Sequence, residues 1–363
     1  MRIVFDAYWW DEGPPSLRHV EREIILAWHD SFPDDELILV LRRNPENRHD
    51  GMPEVPYEET SLWPQAFAAT LAVSRAARIH HADAVVTHNF AAWLPNVVST
   101  VCLHDVLFTT NPEWFTAIER RYFSLMSRWV KRADVVFTSS RAEATRIQEN
   151  SNARLVLPVG LGLSTELMDD PEENPDPSLT PGSFVLTVGR LNVRKNLERI
   201  IHSALDTGRF SPEYPLVVAG GAGGRAATVS ARTTRAVESG SVVFTGFVSE
   251  ARLRWLYNNT ALFVFLPLDE GFGMPPVEAA YFDAPILASD LDVFHENLGD
   301  WARFVRPTDE NAIATAMSEA LNAADSSLGR ASHADEMRRK HDWVATVGAM
   351  RAVIADRLQP VSA

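Results

Sequence analysis

Short apolar runs alternate along the chain with amphipathic stretches of helical period, and the alternation recurs in both halves. In the first half Arg2–Phe5, Leu37–Leu41, Ala84–Val86, Val97–Leu103, Val135–Thr138 and Leu155–Leu157 read as buried strands. Arg18–Trp28, Glu113–Val130 and Arg141–Glu149 carry apolar residues at helical spacing between them. The second half repeats the scheme with strands at Phe184–Val188, Leu216–Ala219, Val242–Thr245, Leu262–Leu266 and Ile286–Ala288, and final helices from Asn311 onward. Strands alternating with helices predict parallel sheets with right-handed crossovers, hence two α/β halves. Asp169 to Gly182 holds five acidic residues and four prolines without periodicity, and reads as a linker. No internal sequence repeat is visible.

The length of 363 residues accommodates two cores, and 46% hydrophobic with 23% charged residues is ordinary for a globular protein. A formal charge of −14 excludes non-specific nucleic-acid binding, which needs a positive field, and requires any phosphate site to be a local basic island. The single cysteine, Cys102, excludes an internal disulfide and reads as core. No apolar stretch approaches the roughly 20 residues of a membrane span. The start, Met1 to Asp6, reads as a first strand rather than a signal peptide, so the expected location is cytoplasmic.

Two loops carry the candidate chemistry. Glu270-Gly-Phe-Gly-Met-Pro-Pro-Val-Glu278 joins an apolar strand to a helix with prolines in its first turn, where missing N–H groups cost nothing. Such a corner aims backbone N–H groups and the positive helix end at an anion, with Glu270 and Glu278 beside it to accept hydroxyl hydrogen bonds. The alternative is an ordinary strand–helix corner. Earlier, Gly189-Arg190 and Arg194-Lys195-Asn196 lie between a strand and a helix for which Asn196 is the expected N-cap. Arg190 and Lys195 suit the spread charge of a diphosphate; the alternative is a solvated basic loop.

In order, Gly189-Arg190 with Lys195-Asn196, Val243-Phe-Thr-Gly246-Phe-Val248 and Glu270-Gly-Phe-Gly-x-Pro-x-x-Glu278 resemble the signature of retaining GT-B glycosyltransferases. The likeness is to the large family containing bacterial mannosyl- and rhamnosyltransferases. It extends through Pro285 to Ser289, Trp343, His104-Asp105, Ala133 to Val135 and Ser139-Ser140. The resemblance implies two Rossmann-like domains facing an interdomain cleft: acceptor domain 1–168, linker 169–182, donor domain 183–342, and a segment 343–363 packing back on the first domain.

It also implies roles. Arg190, Lys195 and the amides of Gly271, Phe272, Gly273 and Met274 would stabilise the leaving diphosphate without a metal. Glu270 would bind donor-sugar hydroxyls, Glu278 the ribose, and the backbone at Val248 the nucleobase, with Phe247 expected in the core. His104 would sit near the donor sugar, with Asp105 either fixing its tautomer or capping the next turn. Retention in this family is attributed to front-face substitution, in which the phosphate oxygen takes the acceptor proton. The donor is a GDP-, UDP- or dTDP-linked sugar, with mannose mildly preferred, and the acceptor a glycan or a lipid-linked glycan. No further cofactor and no metal are expected. A nucleotide-sugar epimerase of the same fold and a non-catalytic glycan- or nucleotide-binding protein are the alternatives.

Some positions depart from the family pattern. Gly13-Pro14-Pro15-Ser16 replaces the usual paired glycines, leaving Ser16 either to cap a helix near Leu17 or to offer its hydroxyl to ligands. Leu266-Pro267 replaces a Pro-Ser pair, and Asp283 stands where glycine is usual. Asp290-Leu-Asp292 reads as a loop rather than a metal triplet, and His80, His81, Asp83 and His88 lack metal-ligand spacing. Gly220 to Gly224 reads as a flexible cleft loop. The aromatic and basic segment 113–132 is expected to give a core face with a solvated basic back; contact with the inner face of a membrane is the alternative.

Overall fold

The computed structural model describes residues 1–44, 46, 49–169, 171–189, 192–221, 229–326 and 334–359. The chain divides into two compact units: Met1–Pro112, Ala117–Gly162 and His341–Ala363 in one, Glu113–Thr116 and Leu163–Lys340 in the other.

The first unit holds β1 (Arg2–Ala7), β2 (Glu36–Arg42), β3 (Tyr57–Thr60), β4 (Ala84–His88), β5 (Val98–Cys102), β6 (Val135–Thr138) and β7 (Val156–Pro158). They form one parallel sheet in the order β3-β2-β1-β4-β5-β6-β7. Its central strands are apolar at consecutive positions because both sheet faces are covered: Ile3, Val4, Phe5, Val85 and Val86 are fully buried. The Pro15–Ser31 helix buries Ile24, Ile25 and Trp28. Against it packs the Trp343–Leu358 helix, whose Arg351 forks onto Asp35 at 2.7 and 3.0 Å. Asp35 also receives the chain's amino terminus at 2.9 Å.

The predicted 113–130 helix is broken. A 3-10 turn at Pro112–Trp114 precedes the Ala117–Trp129 helix, and another follows at Val130–Arg132. Tyr122 packs on Phe90 and Phe123 on Phe108, with ring centroids 5.1 and 5.8 Å apart. Tyr122 and Phe123 are half-buried by these contacts, and Met126 is the buried residue of this helix. Among the described residues no helix is long and apolar enough to cross a membrane.

The second unit holds β8 (Val185–Val188), β9 (Leu216–Ala219), β10 (Val242–Gly246), β11 (Leu262–Phe265), β12 (Ile286–Ser289) and β13 (Ala302–Val305) in the parallel order β10-β9-β8-β11-β12-β13. Its core is built from Val185, Ile200, Ile201, Val218, Leu262 and Leu287 with their neighbours. The described part of the acidic segment 169–182 lies within this unit. Glu173 N–H donates to Ala251 O, Arg252 holds the Glu173 carboxylate at 2.7 Å, and Gly182 N–H donates to Asn259 O.

Candidate active site

In the second sheet the order reverses between β8 and β11, with β9 beyond one and β12 beyond the other. Open α/β sheets hold ligands at such a switch point, beyond the carboxyl ends of the strands. Asn192 accepts the Lys195 N–H at 3.1 Å and closes the 3-10 turn Val193–Lys195, which follows β8 and presents Arg194 and Lys195. Both reach the residue beyond β11: Arg194 Nη1 lies 2.8 Å from Glu270 Oε1, and Lys195 Nζ 3.0 Å from Oε2. Burial opposes a charge on Glu270, but the two cations outweigh it and hold the carboxyl below its usual range. The neighbouring Asp269 accepts the Glu270 N–H at 2.7 Å.

Asn196 is the N-cap residue of the Leu197–Asp206 helix as predicted, but its side chain does not cap it. Its backbone is left-handed (φ 60°), and its side-chain amide donates to Leu266 O at 3.0 Å and Pro307 O at 2.8 Å. With Leu268 N–H donating to Arg194 O, it stitches the loop after β8 to the loop after β11. Gly220 packs so closely that an added Cβ would lie 2.1 Å from Gly189 O. The described start of the predicted flexible loop is thus tightly held; residues 222–228 lie outside the described residues, as does Arg190.

The Glu270–Glu278 corner forms as strand, turn and helix. Gly273 has φ 83°, and a Cβ there would meet Phe294 at 2.3 Å, so only glycine fits. Met274–Tyr281 is helical with prolines in its first turn. Gly271, Phe272 and Gly273 are buried, Met274 half-buried, and Asn297 pins the corner by donating to Phe272 O at 2.8 Å. Glu278 accepts the Tyr257 hydroxyl at 2.8 Å. Burial pushes its carboxyl up to about 7; the Tyr257 hydrogen bond opposes this and the nearby Glu250 adds to it.

In the first sheet the order reverses between β1 and β4, at Asp6 and His88. Asp6 is fully buried and accepts hydrogen bonds from Tyr8 N–H, Gln65 Nε2 and His88 N–H at 3.3 to 3.4 Å. Burial still pushes its carboxyl up to about 7. His104 follows β5, and its Nε2 lies 3.4 Å from His88 Nδ1 with the rings nearly parallel (12°). Burial pushes His104 down to about 4; burial and the neighbouring ring hold His88 well below its ordinary value. At neutral pH both rings are uncharged, and one of the two facing nitrogens can donate to the other when the tautomers differ there. Among the described residues His88 Nε2 is buried without a hydrogen-bond partner.

Residues 170–337 match the family described as Glycosyl transferases group 1. That match falls within the second unit, Leu163–Lys340, and spans most of it. The chain is 29% identical over 264 residues to the serotype-specific mannosyltransferase WbdA of Escherichia coli, covering 68% of this chain and 32% of WbdA. It is 29% identical over 237 residues to the O-antigen chain mannosyltransferase RfbU of Salmonella typhimurium, covering 64% of this chain and 62% of RfbU. The chain thus spans about a third of the length of WbdA. Sucrose-phosphate synthase from Thermosynechococcus elongatus shares the fold at a TM-score of 0.71 and 17% identity, with 98% of each chain covered. Anabaena HepE, solved in complex with UDP and glucose, matches at 0.63 and 15%, covering 98% of this chain and 100% of HepE. The two parallel Rossmann-like units are those of the GT-B fold.

In the second unit, Val248 is half-buried, but Phe247 beside it is 81% exposed and not in the core as predicted. The loop after β10 turns outward there, and Ser249 caps the Glu250–Asn259 helix instead. Asp290 is drawn to His295 Nε2 at 2.7 Å. Asp283 takes the left-handed conformation (φ 55°) that glycine usually fills at a helix end.

In the first unit Ser16 is exposed inside the first turn of the Pro15–Ser31 helix, whose cap position is Pro14. It does not cap that helix. Asp105 caps the next turn, accepting Leu107 N–H at 3.2 Å. The buried Glu143 steadies the same turn by accepting Val106 N–H at 3.1 Å. His80 pairs with Glu58 at 3.1 Å and Asp83 accepts Arg2 N–H at 2.7 Å, separate from the His88–His104 pair. Among the described residues no group of three or more His, Cys, Asp or Glu is placed to hold a metal ion.

Sequence reasoning passed over Tyr257, Asn297, Gln65 and the role of His88. Each acts through a fold contact between distant segments, such as the 21 positions between Tyr257 and Glu278. His88 carried the one available signal, a histidine closing an apolar strand.

Proposed function

We propose that this protein is a retaining glycosyltransferase that moves mannose from a sugar nucleotide to a growing glycan or lipid-linked glycan. The observation that carries the reading is Glu270, at a sheet switch point, held ionised between Arg194 and Lys195 beside the glycine corner. The mannosyltransferase relatives WbdA and RfbU support the sugar; they do not fix the nucleotide.

When the bond from the sugar's anomeric carbon to the diphosphate breaks, the electron pair goes to the phosphate oxygen. Arg194 and Lys195 meet that charge, joined by Arg190, which the sequence puts in the same loop. Fixed cations make the step independent of a metal ion. Glu270 accepts a donor-sugar hydroxyl, which orients the ring and supports positive charge developing at the anomeric carbon. Glu278, ionised above about pH 7, accepts a ribose hydroxyl. The acceptor oxygen bonds to the anomeric carbon on the face the phosphate leaves, and its proton passes to the departing phosphate oxygen, so no separate protein base is needed. His104 offers an uncharged imidazole to hydroxyl groups.

The test is a transfer assay with GDP-, UDP- and dTDP-linked sugars against mannose-terminated glycans, with and without chelator. The expected result is mannose transfer that survives chelation and keeps the donor's anomeric configuration in the product NMR spectrum. Silence with every donor, or inverted product, contradicts the reading.

A further inference from the structure

The first unit has an open cavity of about 990 Å³ at the end of its sheet opposite His104. It is walled by the residues that lead into β5, β6 and β7 and by the end of the Trp343–Leu358 helix. His104 lies beyond the far end of β5; five residues at about 3.3 Å each separate the two regions by roughly 15 Å. The cavity is therefore not an extension of the candidate site.

Its charge is the reverse of the chain's. Lys131, Arg132, Arg154 and Arg357 line it against a single carboxylate, Asp134, in a protein of net charge −14. Asp134 is already engaged, accepting Ser99 N–H at 2.9 Å. Among the described residues none of the four cations forms an ion pair. Arg132 is instead held by aromatic faces, 5.0 Å from the Trp129 ring centre and 5.5 Å from that of Trp93. Trp93, which lines the cavity, is 67% exposed. Clustered unpaired cations repel one another, and a polyvalent anion relieves that cost; guanidinium groups match phosphate in particular.

We infer that this cavity binds a phosphate-bearing ligand, its phosphate between Arg154, Arg357 and Lys131 and its organic part against Trp93. The volume exceeds that of a phosphate ion and suits a ligand with a body attached. A soluble sugar phosphate and the headgroup of an anionic phospholipid share this chemistry.

Two probes test it on the full chain: mannose 1-phosphate by calorimetry, and phosphatidylglycerol vesicles by flotation. The Arg154→Gln/Arg357→Gln variant alters two exposed side chains, so its circular dichroism and melting should match the wild type. Lys195→Gln controls for binding at the second unit's candidate site. The inference expects about tenfold weaker binding of at least one probe by the double variant, with Lys195→Gln unaffected. Loss with mannose 1-phosphate assigns a soluble source, and loss with vesicles a lipid one. Failure of the wild type to bind either probe overturns the inference. So does equal binding by the double variant, or an equal loss in Lys195→Gln.

Discussion

Lys195 and Glu270 are 75 positions apart in sequence and meet at 3.0 Å beyond the carboxyl ends of adjacent parallel strands. With Arg194 on the other carboxylate oxygen, Glu270 is ionised and immobilised before any ligand arrives. The same cations are expected to serve both the carboxylate and the diphosphate. Lys195→Met should therefore weaken donor binding and also release Glu270, lowering kcat as well as raising KM. Steady-state kinetics check this: a change in KM alone would assign Lys195 to ground-state binding only.

Asn196 joins two loops through two buried carbonyls, Leu266 O and Pro307 O. Asn196→Gly keeps the left-handed backbone but removes both donated bonds, leaving Pro307 O only the 3.5 Å contact from Arg199 Nη1, at a cost of about 1–3 kcal/mol. Urea unfolding measures it. A loss below about 0.5 kcal/mol, within the range of ordinary surface changes, would mean that other groups satisfy those carbonyls.

Asp6 is a carboxylate that folding disfavours. Its pKa rises from 3.8 to about 7 on burial, so the folded state binds the extra proton between those values. Stability from this group is full below about pH 4, falls as pH rises through about 7, and then stays level. At about 1.4 kcal/mol per pH unit the loss is roughly 4 kcal/mol. Asp6→Asn should gain on the wild type across that window and hold a constant advantage above it. Unfolding curves at pH 5, 6, 7 and 8 follow the difference; a gap that narrows with rising pH contradicts the assignment.

His104 titrates in the opposite sense. Burial lowers it to about 4, so between there and about 6.5 the unfolded chain binds more protons and stability falls as pH drops. Histidine NMR should show the His104 ring neutral at pH 6, with its chemical shift moving only near pH 4. A midpoint near 6.5 would mean that the ring is solvated, not stacked on His88.

The central strands were legible because residues buried on both faces leave continuous apolar runs, as in Leu262–Phe265. The edge strands Tyr57–Thr60 and Ala302–Val305 were not: Glu58, Glu59 and Arg303 break the run where only one neighbour strand covers the backbone. Strand order is a property of the whole sheet, so the two switch points could not be read from the chain. Lys195 and Glu270 could, since each lies in the loop between an apolar run and the helix that follows it. That Arg194 grips Glu270 could not, because it depends on a 3-10 turn closed by Asn192. Asn196 was legible as the cap position, but not the use of its side chain, which reaches carbonyls 70 and 111 positions away.

The most direct measurement is the dissociation constant of GDP-mannose for the wild type and for Glu270→Gln, with transfer assayed on the same preparations. The account predicts that the wild type binds and transfers, whereas the variant stays folded and loses transfer by at least about a hundredfold. Unchanged turnover in Glu270→Gln would contradict it.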